Sequence, residues 1–149
     1  MTNRIHSSPQ RWGFGMPEAV RAGLLISLGA CLGANARYWL GAWIQQRILP
    51  GFPWGTVVIN LSGSLAIGVI VTLLAHRDEA ASLPWRLLLV TGFLGAYTTF
   101  STFSFETLEL VRSGLLLRAA ANVCGSVFGG LAGAWFGVAA TEWFLKSRV

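Results

Sequence analysis

Seven consecutive residues, Thr98–Ser104 (TTFSTFS), hold five hydroxyl side chains and two phenylalanines inside a long apolar segment. Phe100, Phe103 and Glu106 follow at i, i+3 and i+6, on one helical face, and Phe93 and Tyr97 extend that line upstream. Gly92 and Gly95 precede the β-branched pair Thr98–Thr99, a poor helix combination. The pattern predicts a helix broken near mid-membrane. Breaks at that depth are tolerated where they are buried in protein or line a polar cavity. A break frees carbonyl oxygens for a cation and N-terminal N–H groups for an anion.

Two further residues are costly inside a bilayer. Asn60 lies close to the middle of its apolar segment, where an unsatisfied amide is expensive. Its two N–H donors require a partner, a cavity or an ion. Arg37 also falls within an apolar segment. Snorkelling to the nearer interface and a functional role facing water explain it equally well, and at a pore mouth it would raise the local anion concentration. Thr56, Asn60, Ser64 and Gly68 recur every four residues, as do Asn122, Ser126 and Gly130. Interhelical hydrogen bonding, worth about 0.6–2 kcal/mol per contact, is the plain reading of most residues on these two lines.

The elements that must position these groups follow from composition. Of 149 residues, 54% are hydrophobic and only 11% charged, whereas a soluble domain carries about a quarter charged. A bilayer span needs about 20 apolar residues. Four segments meet that length, with helices expected over 22–44, 54–75, 85–111 and 117–145 within a membrane domain of residues 21–146. Residues 1–20 read as a polar N-terminal tail, with Pro17 near the start of the first helix. Trp43, Trp54, Trp85 and Trp143 fall near the expected helix ends, where amphipathic rings favour the headgroup level. Glycines at 125, 129, 133 and 137, and at 29, 33 and 41, leave ridges along which helices can approach closely.

The net charge of +5 comes from arginines scattered beside the helices, with no basic cluster, so no nucleic-acid partner is expected. Membrane lipid is the expected surroundings. The positive-inside count leans weakly toward both termini inside, a bias compatible with insertion in either orientation. Cys31 and Cys124 are isolated and read as small hydrophobes.

The stretches GANARYWLG, WGTVVINLSGS, GFLGAYTTFSTFSFET and NVCGS, in this order and spacing, resemble the Fluc (CrcB) fluoride channels over about residues 23–143. The resemblance implies an all-α membrane protein of four helices, the third broken, forming an antiparallel, dual-topology homodimer in the cell (inner) membrane. It implies passive fluoride export that lowers fluoride toxicity, through two pores per dimer, with one structural Na+ at the centre. Carried over by position, Phe100 and Phe103 present ring edges to fluoride, whose positive character suits an anion. Asn60 is the amide donor beside them, Ser126 and Asn122 lie on the polar track of the fourth helix, and Ser101 and Thr102 supply hydroxyls. Arg37 sits at the vestibule and Glu106 near one pore end. The backbone carbonyls of Gly95 and Thr98 hold the sodium. The chain departs from some relatives at Asn122 and Gly130, where those place a tyrosine and a second serine.

Three other readings are weaker. A small multidrug exporter needs a carboxylate deep in its first helix, where this chain has Arg37 and no acid. A purely structural membrane protein would leave Phe100 and Phe103 as packing aromatics. An enzyme is not expected, because no nucleophile–base pair or metal cluster is visible, and His6 and His76 lie far from the hydroxyl run.

Overall fold

The computed structural model of the chain describes residues 16–48 and 50–147. The described chain is all helical: α1 (Met16–Arg47), α2 (Trp54–Ala75), α3 (Glu79–Trp85), a π-helical segment (Arg86–Leu94), α4 (Gly95–Tyr97), α5 (Phe100–Arg112) and α6 (Leu116–Lys146). Among the described residues, four spans are long and apolar enough to cross a membrane, the third running from Glu79 to Arg112 as α3 to α5. The chain is a multi-pass membrane protein. Large apolar side chains such as Leu24, Leu28, Trp39, Phe128, Leu131 and Trp135 are exposed on α1 and α6, as surfaces facing acyl chains must be.

α2 keeps its expected bounds, whereas the first, third and fourth spans run beyond theirs. α1 begins at Met16, so residues 16–20 of the expected tail are helical. Pro17 near the first turn costs no hydrogen bond, and Glu18 in that turn complements the helix dipole. Residues 1–15, with His6 and the tail's Arg4 and Arg11, lie outside the described residues, as does Arg148. The third span starts at Glu79, ahead of the expected residue 85, because Asp78 already accepts from the Ser82 N–H at 2.9 Å. Pro84 lies inside α3, where it lacks an N–H and its ring crowds the carbonyl one turn back. The wider π-helical turn that follows accommodates this disturbance.

Two tight pairings build the bundle, α2 on α6 and α1 on the π-helical segment. Gly68 lies against Ala134 and Gly137 against Leu65, and a Cβ on either glycine would strike the facing carbonyl. Gly129 and Gly133 continue this ridge along α2, whereas Gly125 has open space around it. Gly29 and Gly33 meet the backbone of Leu88, Gly92 and Phe93. The closest packing therefore falls where the four-residue glycine spacing permits backbone approach.

Ile59, Leu94 and Tyr97 form the buried core, with Phe93 and Ala36 packed against it. The Tyr97 hydroxyl and Ser62 Oγ lie 2.8 Å apart, which satisfies the buried phenol. Phe93 and Tyr97, stacked at 5.7 Å, thus belong to the packing core. They do not continue the line of Phe100 and Phe103, because the helix is interrupted between them. The interruption is two residues long: Thr98 (φ −79°, ψ 158°) and Thr99 (φ −149°, ψ 111°) are both extended.

Candidate functional site

The break is held by side chains. An uninterrupted helix would turn the Thr99 N–H onto the Gly95 carbonyl; here it donates to Asn60 Oδ1 at 2.9 Å. Asn60 Nδ2 donates back to the Thr99 carbonyl at 3.2 Å. One amide thus pairs with both backbone groups of one residue, which answers why an Asn can stand at mid-span in α2. Thr99 also caps α5: its Oγ1 accepts from the Thr102 N–H at 3.2 Å and donates to Thr102 Oγ1 at 2.8 Å.

Two cavities flank this junction. The first, of about 720 Å³, is lined by charged and polar groups including Arg37, Gln45, Thr56, Thr102, Glu106 and Glu109. The second, of about 350 Å³, is lined by Phe100, Phe103, Asn60, Ser64, Thr98 and Ser126. Among the described residues, Thr99 alone lines both.

The first cavity is braced at its rim and floor. Gln45 Nε2 donates to the Phe52 carbonyl at 3.1 Å and Gln45 Oε1 accepts from the Gly55 N–H at 3.2 Å. Arg118 Nη1 donates to the Gly51 carbonyl at 2.9 Å. Gly51 has φ +92°, a conformation that favours glycine. Thr56 Oγ1 donates to Glu106 Oε1 at 2.9 Å, while Glu106 Oε2 is buried with no partner. Arg37, half-buried, has no ion-pair partner among the described residues.

The second cavity is aromatic and less complete. The rings of Phe100 and Phe103 lie 5.7 Å apart, tilted at 48°. Phe103 is 8% exposed and Phe100 is 80% exposed, so the chain by itself covers one ring and leaves the other bare. Ser126 Oγ is buried without a partner.

The expected site residues therefore divide. Arg37, Thr102 and Glu106 share the first cavity. Phe100, Phe103, Asn60, Ser126, Gly95 and Thr98 share the second. Asn122 lines neither; it is 0% exposed, and its Nδ2 donates to Thr107 Oγ1 at 2.8 Å. Thr107 spends its own hydrogen on the Phe103 carbonyl at 2.7 Å, so Asn122 must act as donor there, and its buried Oδ1 has no partner. Ser101 also lines neither cavity and lies 3.5 Å from Thr99 Oγ1.

Thr99, Thr56 and Thr107 were not expected among the site residues. Thr56 stood on the polar line of Asn60, and Thr99 stood in the predicted break. Those positions were their signals, whereas nothing local marked Thr107.

Comparison with known proteins extends these findings. Residues 24–138 match the family described as CrcB-like protein, Camphor Resistance (CrcB). The fluoride-specific ion channel FluC of Chloroflexus aurantiacus is 49% identical over 121 residues, 81% of this chain and 95% of that protein. The FluC of Solibacter usitatus is 52% identical over 114 residues, 76% of this chain and 93% of its own. That of Oceanobacillus iheyensis is 45% identical over 115 residues, 77% and 87% of the two chains.

Proposed function

The chain belongs to the CrcB-like family, and on that premise we propose that it is a fluoride channel that lets the ion leave the cell passively. The observation that carries this reading is the near-complete coverage of relatives named as fluoride-specific ion channels. The geometry supports it. A small, strongly hydrated anion needs donors and positive ring edges in place of water, and the second cavity gathers two phenyl rings, an amide and a hydroxyl. Asn60 spends one of its two N–H donors on Thr99 and keeps one for a ligand.

In this reading Phe100 and Phe103 give ring edges to fluoride, with Asn60 and Ser126 as polar contacts beside them. Arg37 concentrates anions in the first cavity, which Thr102 and Glu106 also line, with Glu106 near one pore end. Ser101 supplies a hydroxyl near the break, and Asn122 belongs with Ser126 to the polar track of the fourth helix. The functional unit is an antiparallel homodimer with two pores, and the bare Phe100 ring and unpartnered Ser126 hydroxyl favour a second copy completing each site.

The carbonyls of Gly95 and Thr98 fit a structural sodium ion. Their helical donors, the Thr99 and Thr102 N–H groups, go to Asn60 Oδ1 and Thr99 Oγ1, and unwound carbonyls suit Na+. Bound there, the ion would supply a fixed positive charge beside the break.

The test is ion efflux from liposomes containing the purified protein, with fluoride and chloride compared. Fluoride should leave and chloride should stay. Absence of fluoride efflux, or equal efflux of chloride, would sink the reading.

A further inference from the structure

Sequence and fold explain why a break exists at Thr98–Thr99, but not why its hydrogen bonds are shared out as they are. At a helix interruption both orphaned donors and orphaned acceptors need partners. Here side chains capture two of the donors. The Thr99 N–H goes to Asn60 Oδ1 at 2.9 Å, and the Thr102 N–H to Thr99 Oγ1 at 3.2 Å. In an α-helix these two N–H groups would bond Gly95 O and Thr98 O. Asn60 also occupies the Thr99 carbonyl, at 3.2 Å, and so holds that residue in its extended conformation from both sides. Thr99 is 7% exposed, so bulk water does not compete freely for its hydroxyl.

We infer that Asn60 and Thr99 are positioning residues for a cation: their side chains intercept the two N–H groups that would otherwise close on Gly95 and Thr98, and keep both oxygens open. This rests on the sodium placement proposed above and deepens it. Asn60 then serves both ions at once. Its oxygen keeps the Gly95 carbonyl open, and its remaining N–H is left for a ligand in the aromatic cavity that it lines together with Gly95 and Thr98. Thr99 acts only through its neighbours.

Thr99→Val keeps the side-chain shape but removes the acceptor for the Thr102 N–H, which is then free to turn onto Thr98 O. Thr99→Ser keeps the acceptor and is the conservative rescue. Thr141→Val is the control. It removes a buried hydroxyl that bonds its own helix at 2.8 Å, away from the break.

The readout is the rise in unfolding temperature of the purified full-length protein as Na+ replaces a large organic cation, titrated to an apparent affinity. Wild type and Thr99→Ser should respond alike. Thr141→Val should lower the baseline and keep the response. Thr99→Val should weaken sodium by about 10-fold or more, the scale of losing a group that orients a metal ligand. If Thr99→Val does not fold, the smaller Thr99→Ala carries the same comparison.

Sodium affinity unchanged in the valine or alanine variant overturns the inference, as does a wild-type protein that conducts fluoride but shows no sodium response. In the latter case the channel reading stands. Loss of sodium affinity in a protein that conducts no fluoride supports the inference while the channel reading falls.

Discussion

The two cavities on either side of Thr99 differ in how far the chain completes them. Around the first, side chains brace one another: Gln45 holds Phe52 and Gly55, Arg118 holds Gly51, and Thr56 holds Glu106. Around the second, Phe100 is bare and Ser126 Oγ is buried without a partner. Each cavity holds one buried oxygen without a partner, Glu106 Oε2 in the first and Ser126 Oγ in the second, so the bare Phe100 ring is what sets the second apart. The first is a braced antechamber, and the second leaves an aromatic surface open to another participant. Substitutions should have different consequences on the two sides.

The largest effect is expected in the aromatic cavity. Phe100→Ile or Phe103→Ile should cut fluoride efflux by about a hundredfold, the scale of losing one preorganised electrostatic contact. Size-exclusion profiles should stay those of the wild type. Efflux that survives both changes would remove the ring edges from the pathway and erase the contrast between the cavities.

The partition itself comes next. Asn60→Asp sets a carboxylate oxygen against the Thr99 carbonyl in place of the amide donor. It should destabilise the protein by about 2–3 kcal/mol, read as a lower unfolding temperature in detergent. An unchanged unfolding temperature would show that the amide pairing does not hold the break.

A smaller effect is expected within the braced cavity. Thr56→Val strips Glu106 of its donor and should cost about 1 kcal/mol of stability. A thermal shift as large as that of Asn60→Asp would mean that the antechamber, too, is a structural keystone.

The smallest effect belongs to Arg37→Gln. It should slow fluoride efflux about twofold at low ionic strength and not at all near 1 M salt, where the Debye length falls to about 3 Å. A deficit that persists at high salt would assign Arg37 a direct contact instead of a long-range field.

The break was legible in the sequence because its causes are local: two glycines, then two β-branched threonines, then a run of hydroxyls able to cap a new helix. The spans were legible for the same reason, since apolar length is a property of contiguous residues. What escaped was non-local. That Asn60 needs a partner follows from its depth, but its partner, the Thr99 backbone, stands on another helix. Phe103 and Glu106 stand on the same unbroken helix α5, but a three-residue step falls about 60° short of a full turn, so Glu106 lines the first cavity and Phe103 the second. Asn122 stands on a polar line with Ser126 by its four-residue interval, but its bond to Thr107, a residue with no motif of its own, is not readable from that interval. The early start of the third span was missed because Pro84 resembles a boundary, whereas the chain absorbs it.

That absorption sets the azimuth of everything downstream. A π-helical turn takes up about one residue more than an α-helical turn, so Arg86–Leu94 works as a vernier between the Pro84 end of the span and its broken middle. Rewinding it at the α pitch with every residue kept would rotate the following chain by about 100° and push it on about 1.5 Å for each surplus residue. Gly95, Thr98 and both phenylalanines would be swung round together, with no change to any of them. The aim of the break is thus stored upstream of it, in the winding of a leucine-rich segment that contributes none of the expected site residues.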